Sequence, residues 1–293
     1  MMTLEALDVQ HRYADLDGLT MHYVTRGEGP AVVLLHGFPE MWWSWRHQIE
    51  PLARAGFRVI VPDLRGYNET DKHGPYDIET LTGDVKNLLD SLGISQATVI
   101  SHDWGGALGW HLAATSPDRV SRLVVMNCPH PAMMQRALRT SAAQRKRSWY
   151  MLYFQLPWLP ERALRAKQGA RLRSLYRAHA KSLENFSDSE LQPIVDNVMR
   201  PGSASAMLGW YRAAVRDALR GRATRLPTID APTLLIWARD DKALGYEDLV
   251  PGTERFVRNL RVEAVSECGH FVQSERPEQV NALLLEFLHT TIS

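Results

Sequence analysis

Short, almost wholly apolar runs recur along the chain at Ala31–Leu35, Arg58–Val61, Thr98–Ser101, Leu123–Met126 and Thr233–Ala238. They lack the period-two alternation of a strand wetted on one face, as expected of strands covered on both sides of a parallel sheet. Between two of them Ile78, Leu81, Val85, Leu88, Leu89 and Leu92 keep one apolar face at helical spacing until Gly93 stops the helix. Alternating strand and helix predicts an α/β fold with a mostly parallel central sheet covered by helices. Upstream, Gln10–Leu16 and Leu19–Val24 flank Asp17-Gly18, two residues that tolerate positive φ, so the chain is predicted to open with a hairpin. The rhythm breaks after Cys128-Pro129-His130-Pro131. From there to about Arg222 the pattern is helix-like and aromatic-rich, and strand and helix alternate again from Pro227. Residues 1–129 and 223–293 are therefore assigned to an α/β core, and residues 130–222 to an all-helical cap inserted into it.

Charge and composition remove several function classes. The 34 Lys and Arg nearly balance 33 Asp and Glu, for a formal charge of +1, so no global field favours a nucleic-acid partner. No stretch of spanning length is free of charge, which predicts no membrane span, and Met1–Asp8 has neither the basic start nor the apolar run of a signal peptide. Cys128 and Cys268 make neither a disulfide framework nor a metal pair, and the histidines show no His-x-x-x-His or His-Glu-x-x-His spacing. The expectation is a cytoplasmic protein without metal or cofactor, as monomer or homodimer. Locally the charge is uneven: Arg136–Lys181 holds twelve basic residues and one acidic residue, Glu161. Such a surface can touch membrane or nucleic acid. It is read here as a solvated helical face, partly balanced by Glu184, Asp188, Glu190 and Asp196.

Three signals carry chemistry. Thr98-Val99-Ile100-Ser101-His102-Asp103-Trp104-Gly105-Gly106-Ala107 runs an apolar strand into a small-x-Asp-x-Gly-Gly turn and then a helix, a nucleophile elbow with aspartate at its apex. Ser101 and Gly105 are small because strand and helix backbones approach closely there, and the apex projects at a helix N-terminus that favours an anion. An N-capping aspartate in an ordinary turn is the simpler alternative. Strand Ala31–Leu35 ends in His36-Gly37-Phe38-Pro39. Strand Thr233–Ala238 ends in Arg239-Asp240-Asp241, and Cys268-Gly269-His270-Phe271 follows strand Val262–Val265, before a closing helix Pro277–His289. The chain order is nucleophile, acid, histidine.

In combination, His36-Gly37-Phe38-Pro39-Glu40, Asp63-Leu64-Arg65-Gly66-Tyr67 and Ser101-His102-Asp103-Trp104-Gly105-Gly106 resemble the soluble epoxide hydrolase branch of the α/β-hydrolases over essentially the whole chain. The resemblance implies Asp103 as nucleophile, His270 as base and Asp241 rather than Asp240 as the orienting acid. It implies an oxyanion hole from the Phe38 and Trp104 amides, and two cap tyrosines. Tyr211 in Trp210-Tyr211-Arg212 matches the second. Tyr150 matches the first, with Tyr153 as the alternative, in Trp149-Tyr150-Met151-Leu152-Tyr153-Phe154-Gln155. His36, Pro39, Trp104 and Tyr153 are expected beside a small-molecule epoxide, which water converts to a diol. Trp149, Phe154 and Trp158 are read as an aromatic stripe packing the cap on the core. Asn68-Glu69-Thr70 stands where the family commonly has glycine and serine. A haloalkane dehalogenase-like hydrolase with the same aspartate, and a non-catalytic ligand-binding homologue, are the competing readings.

Overall fold

A computed structural model describes residues 7–221 and 225–290. Residues 1–6 of the N-terminal reading and the expected cap boundary at Arg222 lie outside the described residues. The strands are β1 (Gln10–Asp15), β2 (Thr20–Arg26), β3 (Ala31–Leu35), β4 (Arg58–Pro62), β5 (Ala97–His102), β6 (Val120–Met126), β7 (Thr233–Ala238) and β8 (Leu260–Val265). They form one sheet in the order β1-β2-β4-β3-β5-β6-β7-β8. Only the β1/β2 and β2/β4 pairs are antiparallel, and the rest are parallel. Every residue of β5 and β7 is buried, which is why these segments are unbroken apolar runs in the sequence. At the hairpin, Asp17 and Gly18 both take positive φ, 51° and 86°, the backbone that a two-residue turn between twisted strands needs.

Helices α1 (Arg46–Arg54), α2 (Ile78–Ser91) and α3 (Trp104–Thr115) follow β3, β4 and β5. Helix α2 starts where the Asp77 carboxylate accepts from the Thr80 amide at 3.0 Å, and Gly93 follows its end at φ 67°. Between β6 and β7 the described residues form no strand, only helices, turns and a single bridge from Ile229 to Val257: α4 (Pro131–Thr140), α5 (Ala142–Arg147), α6 (Trp149–Tyr153), α7 (Leu159–Arg165), α8 (Ala170–His179), α9 (Asp188–Met199) and α10 (Ser203–Leu219). The chain then closes with α11 (Tyr246–Leu249), α12 (Val272–Glu275) and α13 (Pro277–His289). This is an α/β-hydrolase fold with an inserted helical cap. No helix among the described residues is long and apolar enough to cross a membrane.

Cap and core share buried polar contacts. The Asn197 amide donates to the Glu40 carbonyl at 2.8 Å, and the Trp210 indole donates to the Arg65 carbonyl at 3.1 Å. Asn68, at φ 42°, is held in the left-handed region that a glycine would otherwise occupy. Its amide N–H donates to Asn197 and its side chain to Asp63, 2.6 and 2.7 Å away. The departure from glycine is thus accommodated by the residue type that best tolerates this backbone. The expected aromatic stripe needs correction: Phe154 is buried, but Trp149 and Trp158 are among the most exposed large apolar side chains. Helix α6 is a single turn, and Tyr150 and Phe154 occupy its inner side with ring centroids 5.6 Å apart. Trp149 is left to face outward.

Candidate active site

The carboxylate that organises the site sits on the sharpest bend of the core. Asp103 links β5 to α3 at φ 49° and ψ −120°, a backbone that a non-glycine residue adopts only when its surroundings enforce it. The enforcing contacts come from small residues. A side chain at Gly105 would run into the Leu35 carbonyl, one at Gly106 into Cys128, and one at Gly109 would lie 2.7 Å from the Ser101 hydroxyl. Ser101 itself donates to the Val124 carbonyl at 2.8 Å. Gly37 lies so close to Asp103 that its absent side chain would stand 2.6 Å from Oδ1.

Each carboxylate oxygen of Asp103 has its own neighbour. Oδ1 accepts from the Phe38 amide at 2.8 Å, while Oδ2 lies 3.6 Å from His270 Nε2. The Trp104 amide, at the first position of α3, belongs to the helix-terminal donors that have no partner within the helix. On the other side of the imidazole, Nδ1 is 2.7 Å from Asp241 Oδ2. Asp241 is fixed in turn by the Asn127 side chain at 2.8 Å and by the Ala243 and Leu244 amides at 2.8 and 3.0 Å. Asp240 points elsewhere and pairs with Lys181 at 3.3 Å.

The charges follow from this geometry. Burial alone would raise the Asp103 and Asp241 carboxyls, but the charge and hydrogen bonds of His270 hold both below the usual carboxylate range. Burial would likewise lower His270, yet the two carboxylates lift its pKa well above that of an ordinary imidazole. Above this cluster, burial first and the negative charge of Asp103 second push the Tyr150 and Tyr211 hydroxyls up. Both phenols therefore stay protonated and able to donate. Their rings lie 6.0 Å apart, and Tyr211 packs edge-on against Trp104 at 5.0 Å and Phe38 at 5.1 Å.

Asp103, His270, Asp241, Tyr150, Tyr211, Phe38 and Trp104 thus come together, and Pro39 is buried in the loop that carries the Phe38 amide. Two expected substrate neighbours do not join them. His36 has no exposed surface: Nε2 accepts from the Leu64 amide at 3.1 Å and Nδ1 lies 3.0 Å from the Gly37 carbonyl, so it braces the loop. Tyr153 turns toward the outer side of the cap, its hydroxyl 3.5 Å from the Leu159 carbonyl and its ring 5.8 Å from Trp149.

Comparison with known proteins agrees with this architecture. Residues 30–277 match the sequence model of the alpha/beta hydrolase fold. Human epoxide hydrolase 4 is 34% identical over 92% of this chain and 76% of its own length. The chain belongs to the epoxide hydrolase family of α/β-hydrolases. A second family-level match, the AB hydrolase superfamily protein YfhM of Bacillus subtilis, is 38% identical over 96% of this chain and 98% of its own length. Among solved structures, a Bacillus megaterium epoxide hydrolase in complex with an inhibitor superposes with a TM-score of 0.88, at 31% identity, over 95% of this chain and all of that one.

Within this epoxide hydrolase family member, a layer below the site went unassigned in the sequence. Glu40 Oε2 accepts from the Gly37 amide at 2.9 Å and lies 2.7 Å from His102 Nδ1, while Oε1 accepts from Gln273 at 2.9 Å. His102 Nε2 reaches the His270 carbonyl, 2.9 Å away. One buried carboxylate so ties together the loop after β3, the elbow, and the loop that carries His270. Charge from His102 holds Glu40 below its ordinary pKa against the opposing effect of burial. Glu40 and His102 both lie inside the quoted motifs, but nothing in a linear motif tells which polar residue faces which. Asn127 carried the one legible signal, a lone amide following the apolar strand β6, where it takes φ 43°.

Proposed function

We propose that this enzyme hydrolyses epoxides to vicinal diols through a covalent ester on Asp103. The observation that carries the reading is a carboxylate with one oxygen on a backbone amide and the other facing an Asp-supported histidine, beneath two protonated phenols. An epoxide carbon is tetrahedral, so ring opening needs in-line attack and a stabilised leaving oxygen. Oδ2 attacks, the carbon–oxygen bond breaks, and the released oxygen takes a proton from Tyr150 or Tyr211, a form of assistance worth about two to four powers of ten. Oδ1 remains on the Phe38 amide and becomes the carbonyl oxygen of the ester.

Once the ester has removed the charge of Asp103, His270 returns its own proton to the phenolate; water then attacks the ester carbon while the neutral imidazole takes one of its protons, with Asp241 steadying the imidazolium. The Phe38 and Trp104 amides hold the oxyanion. The tetrahedral intermediate expels the diol oxygen, which takes the proton back from His270. Asp103 is left as the acid, and the transfer of its proton to His270 restores the resting pair of charges. In this scheme the core, 1–129 and 223–293, supplies nucleophile, base and oxyanion hole, and the cap, 130–222, supplies the phenols. The two cysteines are buried and unpaired, which suits a reducing compartment such as the cytoplasm.

Diol formation from styrene oxide and aliphatic epoxides tests the scheme in the wild type, Asp103→Ala and Tyr211→Phe. Asp103→Ala is expected to abolish turnover, and Tyr211→Phe to slow ring opening. Full activity in Asp103→Ala overturns the proposal. Halide release from simple haloalkanes without diol formation transfers the same nucleophile to dehalogenation.

A further inference from the structure

The outer side of the cap carries a feature that catalysis does not use. Trp149, Leu152 and Trp158 are 62%, 72% and 69% exposed, and Leu156 and Leu159 are exposed beside them. These side chains form one surface. Trp149 and Leu152 share a face of α6 at i, i+3 spacing. The Trp149 ring packs beside Tyr153, whose hydroxyl lies against the Leu159 carbonyl, and the Leu156 amide donates to the Tyr153 carbonyl. Trp158 stands at the start of α7 with φ 48°, a left-handed backbone unusual for so bulky a residue. A contiguous apolar patch of this kind is rare on a soluble surface without a partner.

The rim of the patch names the partner. Arg145 and Lys146 lie on α5 just before it, and Arg162, Arg165 and Lys167 lie on or just after α7. Among the described residues none of these five is paired with a carboxylate, and Glu161 is already taken by Arg212 at 2.7 Å. Of the acids expected to balance the cap's basic run, Asp188 does pair with two of its cations, Arg173 and Arg177, but not with these five, and Glu190 caps α9. Exposed tryptophan and leucine flanked along the chain by cations without a carboxylate partner complement the headgroup and upper acyl region of a negatively charged bilayer. A second copy of the chain is the poorer occupant, because a two-fold contact through this patch would bring its own cations together.

We propose that the outer face of α6 and α7 docks on an anionic lipid surface. The inner side of the same single-turn helix holds Tyr150, so the docked face lies directly behind one wall of the candidate site. The contact is peripheral, with apolar side chains at its centre and cations around them, and it stands independently of the catalytic scheme.

Sedimentation of the full chain with phosphatidylcholine vesicles, with and without phosphatidylglycerol, tests it at low and high salt. The protein is expected to pellet with the anionic vesicles at low salt and to be released by high salt. Affinity should fall about fivefold for each of Arg162→Gln and Arg165→Gln, and Leu152→Ser/Trp158→Ser should remove binding while keeping the wild-type circular dichroism spectrum. If that double variant misfolds, the arginine variants and the salt series still decide. Equal binding to neutral vesicles, no binding to either kind, or a vesicle-free dimer that Leu152→Ser/Trp158→Ser dissolves would each overturn the proposal.

Discussion

At the scale of single side chains, the site is a row of alternating charges: Asp103, His270, Asp241. His270 stands between two carboxylates, 3.6 Å from one and 2.7 Å from the other, and each member stabilises the charged form of its neighbour. Alkylation of Asp103 would remove one carboxylate charge, so His270 would lose part of what raises its pKa when it must act as a base. Removing the imidazole should therefore separate the two half-reactions. In His270→Gln, ring opening is expected to continue while ester hydrolysis stops. Intact-protein mass spectrometry after incubation with an epoxide should show a gain of one substrate mass, and an unmodified protein under conditions where wild type turns over would count against the scheme. Asp103 and His270 were legible in the sequence because each stands in a rigid motif of small residues. The choice of Asp241 over Asp240 rested on resemblance alone, since adjacent residues differ only in direction, and direction is set by where the Ala243 and Leu244 amides lie.

At the scale of elements, the elbow works because β3, β5 and α3 approach one another more closely than any side chain would allow. The loop after β3 presses Gly37 against Asp103 while its next amide, that of Phe38, holds Oδ1. Gly37→Ala would place a methyl carbon against the carboxylate. The expected outcome is a fall in kcat of at least about tenfold, since catalytic groups tolerate little misplacement, together with about 1–3 kcal/mol of lost stability from overpacking. Steady-state kinetics and urea unfolding check the two parts, and an unchanged kcat would show that the loop yields without moving Asp103. The strands and the long helices were readable because their periodicity is local. The cap was readable only as helical: its short elements α5, α6 and α7 have too few residues for a pattern to show which face turns inward. That is why Trp149 and Trp158 were expected inside and stand outside.

At the scale of the whole molecule, the site titrates with the fold. His270 has a folded pKa raised above its unfolded value of about 6.5, so its contribution to stability is complete below that value and drains away as pH rises through the folded pKa. Asp103 and Asp241 are held low, so theirs is complete above the ordinary carboxylate range and is lost as pH falls through the depressed values. The stability advantage of wild type over His270→Gln, read from urea midpoints across pH, is therefore expected to narrow as pH rises above about 6.5. An advantage that stays level or widens there would mean that the imidazole is not charged in the folded protein.

The sequence by itself determined the sheet, the inserted helices and the place of Asp103 on the elbow between β5 and α3, because strand burial, helix spacing and a turn that admits only small residues are written in neighbouring positions. Tertiary structure alone decided that Glu40 and His102 underlie the site, that His36 and Tyr153 stand apart from it, and that the cap presents tryptophan to solvent. Those relations join residues distant along the chain through side-chain direction. Direction depends on how cap and core pack, and no local pattern encodes it.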